Sequence, residues 1–297
     1  MLKRPPLDKL NIYFIATTHL LAVAAVLYVC LVEFSWWSLG LGTFYALACS
    51  MSITAGYHRL FAHPTHRAHV VLRILYLFFG SASVQNSALK WSSDHRLHHG
   101  KVDREEDPYN IKKGFWWAHI GWVLHHSPAS DYDNVRDLKT DPFVMWQHNH
   151  YLLTVGITTI LTPLLLGLLW GDPLGAFLLA GALRLVIEWH STFSVNSVAH
   201  YIGTRPYSLA SSARDSFLTA LITMGEGYHN FHHRFANDYR NGIRWFHFDP
   251  TKWWVWSLSK VRLTWDLKRV SKDAIQNAKN KVAAELEARK LKAGSAQ

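Results

Sequence analysis

NIYFIATTHLLAVAAVLYVCLVEFSWWSLGLGTFYALACSMSITAGYH, residues 11–58, holds no Lys or Arg and a single carboxylate, Glu33. A membrane-crossing helix needs roughly 20 apolar residues, because the hydrocarbon core offers no water to backbone N–H and C=O groups. The stretch is long enough for two. It divides at residues 33–38, where Trp36 and Trp37 suit a membrane–water interface, so spans are expected near residues 13–32 and 37–57. A second window, residues 140–183, also lacks Lys and Arg. It divides at Gly171-Asp172-Pro173 and predicts spans near residues 151–170 and 174–195. Two hairpins put both chain ends on one side. The outer links carry no Lys or Arg, so the positive-inside rule assigns the N-terminus, the central segment and the C-terminal third to the cytoplasm.

The expected fold class is therefore an all-α membrane protein, four transmembrane helices in two hairpins with a helical cytoplasmic cap. Residues 1–265 read as one integral-membrane unit whose cap is drawn from residues 58–150 and 196–265. Residues 266–297 read as a charged helical or disordered tail, solvated rather than packed. The N-terminal MLKRPPLDKL resembles a signal peptide, but the apolar run behind it is as long as a span and lacks a clear small-residue cleavage site. It reads as an uncleaved anchor. Residues 70–79 are apolar and too short to cross. A composition of 49% hydrophobic and 14% aromatic residues in 297 agrees with spans set among polar segments. The net charge of +10 comes without any nucleic-acid-binding motif, and membrane topology accounts for it. Cys30 and Cys49 lie in separate apolar segments and form no redox or disulfide pattern.

Histidine carries the chemistry. His58 and His63 stand in HRLFAH, His95, His98 and His99 in HRLHH, and His229, His232 and His233 in HNFHH, each beside an apolar segment. Spacing of i, i+3 and i+4 brings three imidazoles to one helix face, and two such triplets are hard to produce by chance. Isolated histidines elsewhere read as ordinary core or surface residues. His58 and His63 are five apart, a poorer α-helical match, with Pro64 ending the helix that extends from the second span. Asn196 and His200, at i and i+4, add an amide and a ninth imidazole. Without nearby cysteine the ligand set is almost purely nitrogen and too large for one metal. Asp94 and Glu226, close in sequence to these boxes, are candidates to orient the imidazoles from behind. Arg184 and Glu188, at i and i+4 in the fourth span, are expected to pair with each other.

HRLFAH, DHRLHH and GEGYHNFHH in this order, with NSVAH before the last, resemble the histidine boxes of the membrane fatty-acyl desaturases, nearest the stearoyl-CoA delta-9 type. EDPYNIKKGFWWAHIGWVL and the RPY after NSVAH extend the resemblance over about residues 42–250. It implies an oxidoreductase of lipid metabolism with a di-iron site in the cap, and O2-dependent insertion of a cis double bond into a saturated acyl chain. Carried over, the iron ligands are His58, His63, His95, His98, His99, His200, His229, His232 and His233, with Asn196 holding a water, and Gln85, Asn86 and Trp91 line the bend of the acyl tunnel. An inert mid-chain methylene offers nothing for a side-chain acid, base or nucleophile, which is why an iron–oxygen oxidant is needed. Related histidine-box hydroxylases or ketolases are the first alternative. A membrane zinc protein is the second, and it lacks an HExxH motif and would leave most of the histidines idle.

No His-Pro-Gly-Gly segment and no iron–sulfur cysteine set occur, so electrons are expected from a separate donor such as cytochrome b5 or ferredoxin with its reductase. Arg234, Arg240, Arg244 and Lys252 form the expected docking face for it. The resemblance implies acyl-CoA as substrate, yet IGWVL is followed here by HHSPASDYD, where animal acyl-CoA members are rich in Lys and Arg. Lys112, Lys113, Arg136 and Lys139 remain as phosphate partners, and a lipid-bound acyl chain is the alternative. The expected setting is a bacterial inner membrane or the endoplasmic reticulum, with the active site and both termini cytoplasmic.

Overall fold

Among the described residues, 5–127 and 130–295 of a computed structural model, four helices are long and apolar enough to cross a membrane: Lys9–Leu31, Trp36–Ala62, Tyr151–Trp170 and Pro173–Tyr201. The rest of the chain is also mainly helical, and the exception is a two-residue antiparallel ladder joining Arg67–Ala68 to Thr264–Trp265. Side-chain caps fix where three spans begin. Asp8, Ser35 and Asp172 each accept from a backbone N–H three residues on, satisfying donors the first turn leaves free. Asp172 also accepts from Ser38 Oγ at 2.6 Å and Tyr28 OH at 2.9 Å, which ties the two hairpin tips together.

The second and fourth spans run several residues beyond the expected bounds, and both extensions carry metal-site histidines. Residues Ser52–Ala62 of the second span are a π-helix, and His63 N–H closes on His58 O at 2.9 Å, five residues back. That geometry resolves the awkward spacing in HRLFAH, since a wider turn places residues five apart side by side, with the two rings 5.2 Å apart. The fourth span pauses at Ser197 before Val198–Tyr201, so Asn196 and His200 do not share one unbroken α-helix.

Val70–Ala82 packs flat against the second span rather than crossing. Gly56 faces Tyr76, and Gly80 faces the ring of Tyr57, which sits too close for any Cβ at Gly80. Tyr57 OH in turn accepts from Gln147 Nε2 at 2.7 Å in a buried bond. The tail forms helix Lys272–Gly294, and Ile275, Ala278 and Val282 are buried on one stripe of it. Ile275 and Ala278 pack with Tyr207 and with Phe231 of the HNFHH box, so the first half of this helix braces the box from behind, while the residues after Val282 are mostly exposed.

Replacing Gly80 by Ala is expected to push Tyr57 off Gln147 and to lower stability by about 1–3 kcal/mol, a loss of several degrees in a thermal unfolding scan in detergent.

Candidate metal centre

Each triplet box serves two centres. The ligand nitrogens of His58, His63, His95, His99 and His232 gather in one group and those of His98, His200, His229 and His233 in a second, all within 4.8 Å inside each group. Helix Ala88–Lys101 sends its i, i+4 pair, His95 and His99, to the first group and His98 to the second. Helix His229–Arg234 does the reverse, sending His229 and His233 to the second and His232 to the first. The two groups are thereby fixed side by side by the same two helices.

The donor set fits a pair of metal ions. Imidazole nitrogens about 2.1 Å from an ion are separated by about 3.0 Å at right angles and about 3.4 Å in a tetrahedron. Here Nε2 faces Nε2 at 2.9 Å for His58–His232, His63–His95 and His99–His232. In the second group the separations are 3.1 Å for His200–His229, 3.0 Å for His229–His233 and 3.3 Å for His98–His233. Burial first, and then neighbouring imidazoles, hold His63, His95, His99, His229, His232 and His233 well below the ordinary histidine range. They are neutral at physiological pH, the form whose lone pair binds a metal.

Polar groups behind the rings set which nitrogen is free. His58 Nδ1 meets Glu226 Oε2 at 2.9 Å, His98 Nδ1 meets Asp107 Oδ1 at 2.8 Å, and His200 Nδ1 meets Ser212 Oγ at 2.7 Å, whose hydroxyl donates to Asp103. A proton held at Nδ1 leaves Nε2 as the donor. Glu226 is delivered by a loop that tolerates only glycine on either side. Gly225 has φ +98, and a Cβ on Gly227 would collide with the Ala220 backbone. Burial alone would raise the Glu226 carboxyl, but Arg59 and then His58 overcome it and hold it at about 2, below the usual 4.5. The resulting stabilisation is complete above pH 4.5 and disappears as pH falls toward 2. Asp94 instead takes Lys90 Nζ at 2.9 Å. Asp103 and Asp107 escaped sequence reading, since DREED looks like a solvated charge run until the fold turns it back on the box.

A cavity of about 530 Å³ opens from this centre, with His58, His95, Trp91 and Asn196 in its wall. Trp91 stacks on His95 with centroids 4.9 Å apart. Gln85 Nε2 donates to Thr192 Oγ1 at 3.1 Å, and Asn86, at φ +73, donates its backbone N–H to Tyr151 OH at 2.9 Å. Thr192 was not singled out in the sequence, where it is one hydroxyl among many in the fourth span. A second hollow on the cap side shares Asp94, Trp122 and Ser127 with the first.

The expected basic docking face shrinks in the fold. Lys252 is 5% exposed and its Nζ donates to the carbonyls of Gly242, Arg244 and His247, with burial pulling its ammonium down to about 8. It cannot present a free charge. Arg240 is paired with Asp238 at 2.8 Å, while Arg234 and Arg244 are exposed. Of the candidate phosphate partners, Lys113 pairs with Glu105 at 3.2 Å and Arg136 with Asp133 at 3.1 Å.

A helical membrane scaffold that gathers nine imidazoles into two adjacent groups, with an apolar cavity opening beside the first, defines a histidine-box membrane protein. Its family is fixed by comparison: the fatty acid desaturase profile matches residues 34–265, and the chain belongs to that family. It is 46% identical over 229 residues to a probable acyl-CoA desaturase of Schizosaccharomyces pombe, covering 76% of this chain and 48% of the relative. It is 43% identical over 239 residues to acyl-CoA desaturase 1 of Saccharomyces cerevisiae, covering 79% and 47%. Against stearoyl-CoA desaturase 5 of Bos taurus it is 35% identical over 276 residues, covering 91% and 82%. The chain thus spans about half the length of the two yeast relatives.

Glu226→Gln is expected to weaken metal retention about 10- to 100-fold against a competing chelator, read by elemental analysis of the purified protein. Its stability deficit relative to the unchanged chain should narrow once pH drops below 4.5, where Glu226 begins to lose its advantage.

Proposed function

We propose that this protein is an oxygen-dependent acyl desaturase that places a cis double bond at carbon 9 of a saturated long-chain acyl group presented as its CoA thioester. One observation carries the reading: two imidazoles of the first group, His58 and His95, stand in the wall of the apolar cavity itself. Relatives bearing the names acyl-CoA desaturase and stearoyl-CoA desaturase support it.

In this reading the nine histidines would hold two irons, with Asn196 positioning a water, and the bound metals would supply oxidising chemistry from O2 and two delivered electrons. The residues of the chain do the rest. Trp91, stacked on His95, gives the acyl chain a flat wall at the metals, and the Gln85–Thr192 bond fixes the adjoining side of the cavity. An apolar chain loses hydration on entering and leaves few conformations for the reacting methylene, so selection among chemically equal carbons becomes a matter of position. Glu226, Asp107 and Ser212 retain protons at Nδ1 of three rings and keep those rings in one tautomer.

The cap side faces the cytoplasm in this proposal, and a thioester head group occupies the hollow that adjoins the cavity. That hollow is lined by Glu105, Asp131 and Asp133 as well as Lys113, so its charge differs from a purely basic phosphate clamp. Electrons arrive from a separate acidic protein, cytochrome b5 or ferredoxin, near exposed Arg234 and Arg244.

His98→Ala and His232→Ala each remove one imidazole from a different centre. Both are expected to abolish monounsaturated product, measured by gas chromatography of fatty acids from an expressing host with the double bond located, and to lower bound iron while the protein stays in the membrane. Full product from either variant would remove that residue from the ligand set. Reversing charge at both Arg234 and Arg244 should reduce turnover with the protein donor by roughly tenfold while leaving turnover with a small chemical reductant within about twofold, and equal losses would count against docking there.

A further inference from the structure

The cavity does not end in hydrocarbon. On the fourth span Glu188 is the lining residue farthest from His200, and on the second span Ser50 is the one farthest from His58. One helical turn deeper, the lining stops and packed protein begins. Tyr45, Cys49, Ala82 and Ala180 form a buried cluster there, exposed by 2% or less. Arg184 lies between this cluster and Glu188. Its Nε donates to Ala180 O and its Nη1 to Ala82 O, both at 2.8 Å, its Nη1 is 3.5 Å from Cys49 Sγ, and its guanidinium sits 5.6 Å over the ring of Tyr45. Two backbone carbonyls therefore hold the cation in place, and Nη1 meets Glu188 Oε2 at 3.2 Å.

We propose that the Arg184–Glu188 pair is the floor of the acyl cavity and sets the longest chain the enzyme accepts. This rests on the desaturase reading above and adds the residue that measures the substrate. Glu188 is 4% exposed, and its other oxygen, Oε1, makes no hydrogen bond among the described residues. An acyl terminus driven against that oxygen would further strip a buried charge of polar surroundings without giving anything back. The hydrocarbon stops above it, and the packed cluster around Cys49 stands behind the pair. An ion pair present only for structure would sit away from the cavity, whereas this carboxylate stands in its wall.

The test uses cells expressing the full chain, fed an equimolar series of saturated acids from tetradecanoic to eicosanoic, with monounsaturated products separated by length. Glu188→Ala is expected to raise conversion of the acid two carbons longer than the wild-type optimum at least fivefold relative to that optimum, as roughly 0.8 kcal/mol per newly buried methylene implies. Arg184→Met combined with Glu188→Ala should do the same without leaving a lone buried cation. Glu188→Phe, which is bulkier, should move the optimum to a shorter chain. Wild-type cells that produce monounsaturated acids, with length ratios moving less than about twofold in all three membrane-resident variants, would overturn the floor assignment. Wild-type cells that form no new monounsaturated acid would overturn the desaturase reading itself.

Discussion

The buried guanidinium of Arg59 is the constraint on which the cap depends. It is 1% exposed and bonds Glu226 at 2.8 Å, Asp249 at 2.9 and 3.2 Å and the carbonyl of Tyr239 at 2.8 Å. A buried charge is tolerable only among charged and polar partners, so the second span, the GEG loop and the loop before helix Pro250–Lys260 meet at this one point, with Nε alone making no hydrogen bond among the described residues. Asp249 carries further obligations, capping that helix at Lys252 N–H and accepting from the backbone of Asn241 and Gly242. Glu226 then has one oxygen on Arg59 and the other on His58. An imidazole of the cavity wall is thus aimed by an ion pair one residue farther along its own helix.

This arrangement couples metal to fold in a specific way. Neutral imidazoles whose Nε2 lone pairs face each other at 2.9 Å repel unless a proton or a cation lies between them. Burial and crowding disfavour the proton, as the depressed histidines indicate. On the proposed reading a bound ion is what remains to relieve the repulsion, and because its ligands come from the second span, two box helices and the end of the fourth span, binding it and closing the cap are one event.

Sequence carried the spans and the boxes because both depend on local spacing, apolar windows free of Lys and Arg and imidazoles at i, i+3 and i+4. It could not assign His98 and His232 to centres different from their helix neighbours, since that choice is made by the facing helix. The π-helical turn that reconciles His58 with His63 was equally hidden, because nothing local in SITAGYHRLFA marks the five-residue closure, which accompanies a close approach of Gly56 to Tyr76. Lys252 looked like a surface charge for the opposite reason. Nothing local reveals that three carbonyls of the preceding loop will enclose it. Asp107 and Ser212 likewise reach their imidazoles only through tertiary contact, so sequence proximity favoured Asp94, which the fold gives to Lys90.

On the proposed reading, two separate lengths follow from where the histidine groups, the cap hollow and the Arg184–Glu188 pair stand. The stretch from the hollow to the histidine groups, bordered by Trp91 and the Gln85–Asn86 turn, would then select which carbon from the carboxyl end is oxidised. The stretch from the histidine groups to Glu188, lined by residues of the first, second and fourth spans, would set how much chain lies beyond the reacting carbon. On the proposed reading Arg184 is fastened to Ala82 and Ala180, and none of its hydrogen bonds reaches the Arg59 hub or an imidazole of the two groups. On that reading double-bond position and chain length depend on different contacts, so a change at the floor can alter the preferred length while the bonds of the Arg59 hub are kept.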